Sequence, residues 1–142
     1  MIILPACFQA TPLAQLKQTA DRGDALAQLT LGFMYYDGQG VPQDYTEAVR
    51  WFRAAAEQGD ADAQFSLGLM YDLGRGMPKD DSEAVRWLRA SADQGNVSAQ
   101  YNLGWMYNDG QGVPQDYAEA VRWFQVAGAQ GGAEAQFKLG AM

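Results

Sequence analysis

The chain has 142 residues, about one domain's worth, with 17 acidic against 10 basic side chains and a net charge of −7. That balance argues against nucleic acid and against adsorption to anionic lipid, since both need a basic face. With one cysteine, Cys7, and no histidine, a disulfide within the chain, a Cys-His dyad, a Ser-His-Asp triad and a His-ligated zinc site are all excluded.

Residues 1–10 form a leader segment without a clear period. The opening MIILPACFQATPL is apolar but short and has no basic n-region. It resembles the tail end of a secretion signal, and Leu4-Pro5-Ala6-Cys7 loosely echoes a lipoprotein box; the missing positive region favours an ordinary apolar leader. No apolar run reaches the roughly 18 residues needed to span a bilayer. Thr11-Pro12 then reads as a helix cap followed by proline at the first helical position, predicting a helix over Pro12–Arg22. This helix aligns with the second half of a later unit, Leu13 with Val49, Leu16 with Phe52 and Ala20 with Ala56. It is a half-unit, 11–23, expected to close the N-terminal end of a stack.

From Asp24 onward the same anchors return at a step of thirty-six: Gln28, Gln64, Gln100 and Gln136; Gly32, Gly68, Gly104 and Gly140; Trp51, Trp87 and Trp123. A period of this size signals a stacked-repeat solenoid in which each unit touches its neighbours. The expected units are 24–59, 60–95 and 96–131, with a partial unit at 132–142, all in a single solenoid domain over 11–142.

Each unit divides into two helices. In the first unit Asp24 caps a helix running to about Asp37, Gly38 supplies a left-handed stop, and Gly40-Val41-Pro42 makes a turn. Asp44 and Glu47 form a capping-box pattern, repeated by Asp80 with Glu83 and Asp116 with Glu119. The second helix runs to about Gln58. On it Ala48, Val49, Trp51, Phe52, Ala55 and Ala56 share one broad apolar arc opposite Arg50, Arg53 and Glu57. The arginines that recur here, Arg50, Arg53, Arg86, Arg89 and Arg122, read as a solvated, ion-paired stripe. On the first helix Ala27, Gln28, Leu31, Gly32, Met34 and Tyr35 share the invariant arc. The Gln28 amide there is expected to bond a backbone group, because a bare buried amide is too costly. A last helix over Ala133–Met142 is expected to bury Leu139 against unit three and to leave an apolar end open to self-association.

The anchors Ala61-Asp62-Ala63-Gln64, Leu67-Gly68-Leu69-Met70-Tyr71, Gly74-Arg75-Gly76 and Glu83-Ala84-Val85-Arg86-Trp87 resemble the Sel-one-like repeat family, relatives of the tetratricopeptide repeats. The resemblance covers nearly all of residues 12–142. It implies an all-α fold, a right-handed α/α superhelix of antiparallel helix pairs with about eight helices, first helices lining the concave face and second helices the convex one. It also implies an adaptor or assembly scaffold, not an enzyme, a role such repeats serve in bacteria and eukaryotes alike. The compartment stays open between bacterial cytoplasm and periplasm, the apolar N-terminus being a weak hint of a truncated export signal. A cysteine-rich branch linked to penicillin binding is not implied, since the cysteine pairs are missing.

The arc opposite the invariant one differs from unit to unit. It presents Leu26, Leu29, Thr30, Phe33, Tyr36 and Asp37, then Asp62, Phe65, Ser66, Leu69, Asp72 and Leu73, then Ser98, Tyr101, Asn102, Trp105, Asn108 and Asp109. The scaffold does not dictate these residues, so they are free to serve a ligand. The partner-binding candidates are Phe33, Tyr36, Leu69, Asp72, Tyr101, Trp105 and Asp109: aromatic and apolar anchors for a protein or peptide segment, with the acids favouring a basic one. Phe65 and Tyr101, at the edge of the arc, also fit as packing between neighbouring first helices.

No catalytic, cofactor or metal residue is assigned. The Asp37-Gly38-Gln39-Gly40 and Asp109-Gly110-Gln111-Gly112 loops lack the ligand spacing of a calcium loop, and Gly38-Gln39-Gly40 has neither the strand nor the lysine of a phosphate loop. The acids recur by cap logic, whereas a catalytic carboxylate pair would break the repeat. The alternatives are a cell-wall or glycan-binding protein or enzyme using the same groove, and a structural unit that self-associates through its C-terminal end.

Overall fold

The computed structural model describes residues 10–131 and 133–141. The leader and its secretion-signal and lipoprotein-box echoes lie almost wholly outside these residues, as does Met142. Among the described residues eight helices run in order: α1 (Pro12–Asp21), α2 (Ala25–Asp37), α3 (Tyr45–Glu57), α4 (Ala61–Leu73), α5 (Asp81–Asp93), α6 (Val97–Asp109), α7 (Tyr117–Ala129) and α8 (Ala133–Ala141). Each packs chiefly on the helix before and after it, most tightly in the pairs α2 with α3, α4 with α5 and α6 with α7. The fold is an all-α solenoid.

Local chemistry sets the boundaries. Asp24, Asp60 and Asn96 accept from the amides of Ala27, Ala63 and Ala99 at 2.7, 2.8 and 2.9 Å, starting the first helices. Those helices end at Gly38, Gly74 and Gly110, all left-handed at φ 70°, 63° and 68°, a region that an L side chain enters only under strain. Asp44, Asp80 and Asp116 start the second helices by accepting from the amides of Glu47, Glu83 and Glu119.

The reciprocal half of the expected capping box is not formed. The Asp44 N–H donates instead to the carbonyl of Tyr35 at 2.9 Å, and Asp80 and Asp116 do the same with Tyr71 and Tyr107. The loop is thereby tied back to the first helix. The glutamates, released from that duty, pair with Arg50, Arg86 and Arg122 at 3.0, 2.8 and 2.8 Å. Each of these guanidiniums also lies over the neighbouring indole of Trp51, Trp87 or Trp123. Arg53 and Arg89 depart from the expected ion pairing: they donate to the hydroxyls of Tyr71 and Tyr107 on the next first helix.

Two devices hold the stack. Within a hairpin, Phe52 covers Gly32, Leu88 covers Gly68 and Phe124 covers Gly104, so closely that a Cβ on the glycine would sit 2.5, 2.8 or 2.7 Å from the covering side chain. Through the whole stack runs a ladder of amides, closed within each unit and tied back to the unit before. Gln28, Gln64 and Gln100 are buried, and each donates to a carbonyl of the preceding helix, Ala20, Ala56 or Ala92, at 3.0–3.2 Å. Their own Oε1 atoms accept from Gln58, Gln94 and Gln130 at 2.7, 2.8 and 3.1 Å. The amides buried by the repeat are satisfied on both sides, as burial requires.

Candidate functional site

The face of the first helices that differs between units is not equally free along its length. Leu29 is 8% exposed and belongs to the core between α3 and α4. Its thirty-six-residue equivalents Phe65 and Tyr101 are half-buried against the cores that contain Leu88 and Phe124. This position wedges between units, which corrects the reading of Leu29 as uncommitted and matches the packing role allowed for Phe65 and Tyr101. Ser66, also on that arc, is buried and donates to the Asp62 carbonyl at 2.8 Å.

Between α2 and α4 the remaining residues enclose a cavity of about 260 Å³. Its walls include Phe33, Tyr36, Phe65, Leu69 and Leu73, with Phe52 and Met70 beneath and Asp62 and Ser66 on α4. Phe33 is held edge-on to Phe52, ring centroids 5.1 Å apart, yet is 43% exposed. Tyr36 is fixed against Tyr45, and its hydroxyl accepts from Arg75 Nη1 at 2.5 Å. Leu73 is exposed at the far end of α4. Three of the seven expected residues, Phe33, Tyr36 and Leu69, thus line one space.

Tyr101 and Trp105 form a second aromatic group on α6. They meet each other at 6.3 Å and Phe124 at 5.7 and 5.8 Å. Trp105 is also covered: the Lys138 ammonium of α8 lies 4.0 Å from its ring centroid.

The acids behave differently from one another. Asp72 is engaged within the fold, accepting from Gln111 Nε2 at 2.5 Å and pairing with Lys79 at 3.4 Å. Lys79 also meets Asp81 at 2.7 Å. The hydrogen bond from Lys79, helped by one from Gln111, holds the Asp81 carboxyl below the usual carboxylate range, and the same Asp81 contact raises the lysine. Asp72 therefore ties unit two to unit three, a duty that Tyr36 and Arg75 perform one unit earlier. Asp109 is exposed at the end of α6 and accepts from Asn108 at 2.7 Å.

Sequence reasoning placed Asp62, Ser66 and Leu73 on the variable arc but not among the candidate contacts. It did not anticipate Lys138 over Trp105 or Arg75 on Tyr36. The register alone held a signal for the first of these, since Lys138 falls in line with Ser66 and Asn102.

Among the described residues no helix is long and apolar enough to cross a membrane. A family model described as the Sel1 repeat matches residues 25–60, 61–96 and 97–132. The chain is similar to the crystal structure of a Sel1 repeat protein from Oxalobacter formigenes, at 42% identity and a TM-score of 0.83, covering 92% of this chain and 98% of that one. It is similar to c5321, a protective antigen present in uropathogenic Escherichia coli strains that displays an SLR fold, at 36% identity and a TM-score of 0.74, covering 94% of this chain and 36% of that one. Helicobacter pylori cysteine rich protein B, at 20% identity and a TM-score of 0.71 over 92% of this chain and 98% of that one, shares the fold. A curated relative, the secretory immunoglobulin A-binding protein EsiB of Escherichia coli O6:H1 strain CFT073, is 46% identical over 55 residues, 39% of this chain and 11% of that protein. This chain spans only about a tenth of that relative's length, 11%.

Proposed function

Since the chain belongs to the Sel1 repeat family, whose members are generally non-catalytic protein-interaction scaffolds, we propose that it binds a segment of another protein along the exposed face of its first helices. The observation that carries this reading is the cavity between α2 and α4, built from Phe33, Tyr36, Leu69 and their neighbours, which the repeat itself does not prescribe. Trp105, with Tyr101 packed behind it, extends the contact surface on α6, and Asp109 sets its charge at the end of that helix. Asp72 contributes through the orientation of the joint rather than as a free charge, because Lys79 and Gln111 already hold it. The Escherichia coli relative, a secretory immunoglobulin A-binding protein, supports a protein as the class of ligand.

The test uses a partner isolated by affinity capture, purified and then titrated back. Leu69→Ala and Trp105→Ala should each weaken binding about fivefold or more, as truncating a central anchor does. Unchanged affinity in both variants would reject the surface.

A second reading concerns copies of this chain. On α8 Phe137 is 81% exposed, and nothing among the described residues lies within 4 Å of where a Cβ on Gly140 would be. Gly140 is the fourth member of the covered series Gly32, Gly68 and Gly104. Helix α1 carries Leu16 at the position of Phe52, the residue that covers Gly32. We propose that α1 of a second copy docks on α8 as a second helix docks on a first, a head-to-tail contact. Sedimentation equilibrium over a concentration series should show association that Phe137→Ser abolishes; a monomer at every concentration would overturn the contact.

A further inference from the structure

The junction of α2 with α4, where the cavity lies, has an equivalent two units along the same chain. The thirty-six-residue register places Ser66, Asn102 and Lys138 at one position and Phe33, Leu69 and Trp105 at another. At the junction of α6 with α8, the Lys138 ammonium lies 4.0 Å from the centre of the Trp105 ring. The stack there supplies its own cation to its own aromatic face.

At the junction of α2 with α4 the corresponding pair is Ser66 and Phe33. Serine is too short to reach the ring, and its hydroxyl is turned back onto the Asp62 carbonyl of its own helix. What stands there is the cavity of about 260 Å³, with Asp62 as the charged residue of its lining. The Asp62 carboxylate accepts from the uncharged Asn96 amide at 3.0 Å, a contact that leaves its negative charge uncompensated. At the opposite end Arg75, which donates to the Tyr36 hydroxyl, already supplies a positive charge. A second cation is therefore disfavoured near Tyr36 and favoured near Asp62.

We propose that this cavity takes a lysine or arginine side chain from the bound protein segment. Its methylene stem lies against Leu69 and Leu73, and its charged head sits between the Phe33 ring and the Asp62 carboxylate. The apolar walls suit the stem, and the ring and carboxylate suit the head, the division of labour that long basic side chains adopt at half-apolar surfaces. This deepens the proposed function and rests on the first-helix face being a protein-binding surface. It specifies a basic residue at one defined place, supplied in trans where α8 supplies one in cis.

The experiment titrates isotope-labelled protein with three capped tripeptides, leucine–lysine–leucine and its analogues with norleucine or glutamate at the centre, and follows backbone amide shifts. The lysine probe should perturb Phe33, Asp62 and Leu69 and bind about three- to tenfold more tightly than the norleucine probe, the range expected of a partly exposed cation over a ring beside a carboxylate. Asp62→Asn, which keeps side-chain size at an exposed position, should reduce the lysine probe to the norleucine level. Ser66→Lys should place a side chain in the cavity as Lys138 does on Trp105 and exclude the lysine probe, with helix content and thermal midpoint confirming that the variant folds.

Equal affinity for lysine and norleucine probes, or no effect of Asp62→Asn, would overturn the cation site while leaving an apolar anchor and the wider surface intact. Absence of shifts with every probe would also overturn it. The wider reading falls separately, by the partner titration with Leu69→Ala and Trp105→Ala.

Discussion

A single hydrogen on Gly68 decides how closely α4 and α5 approach. A Cβ there would lie 2.8 Å from Leu88 Cγ and 3.3 Å from the Ala84 carbonyl, while on Gly140 it would meet nothing within 4 Å among the described residues. Gly68→Ala should therefore destabilise the fold by about 1–2 kcal/mol, the overpacking strain exceeding the roughly 1 kcal/mol that alanine gains over glycine inside a helix. Gly140→Ala should cause no loss. Urea unfolding of the two variants compares them directly, and equal losses would contradict the close seat. This contrast was half legible in the residues. The recurring Gly32, Gly68 and Gly104 announced a constraint, but the large side chain over each one came only with the coordinates. The same holds for Gln28: burial of its amide required an acceptor, and the structure names Ala20.

At the scale of the element, the second helices carry their charge in a fixed cluster. Glu83 and Glu119 are held below the usual carboxylate range first by hydrogen bonds from Arg86 and Arg122 and then by those charges. A carboxyl that titrates lower in the fold than in the unfolded chain contributes fully above the unfolded value of 4.5 and loses its contribution as pH falls through the folded value. The expected outcome is an acid limb in the thermal midpoint below about pH 4.5 that flattens in the double variant Glu83→Gln, Glu119→Gln. The change is small, since exposed helix pairs three or four residues apart contribute about 0.2–0.5 kcal/mol each. An acid limb of unaltered steepness in the double variant would assign it to other carboxyls. The sequence showed these glutamates as halves of a capping box. They are not, because the amide each would have bonded is taken by a tyrosine carbonyl from the preceding helix, a contact that no pattern within the second helix reveals.

Across the whole molecule, the fold was readable because every anchor is repeated and each unit needs only its neighbours. The candidate site was less so, since it lies where the repeats differ. Phe33, Tyr36 and Leu69 could be placed on one face by helical geometry, but the cavity they share depends on α2 and α4 lying side by side. The contacts that distinguish one joint from another, Arg75 on Tyr36 and Gln111 on Asp72, each bridge thirty-nine residues. The glutamine ladder has a different property: Gln58 with Gln28, Gln94 with Gln64 and Gln130 with Gln100 offer the same donors and acceptors at every rung. Each rung closes inside one unit, while the same glutamines reach back to Ala20, Ala56 and Ala92 of the unit before, so the ladder joins any unit to any other and carries no address. A gene that gained or lost one thirty-six-residue block in frame would encode a longer or shorter rod whose rungs still close. The polar ties at Tyr36 and Asp72 would then be what reports that the blocks are out of order.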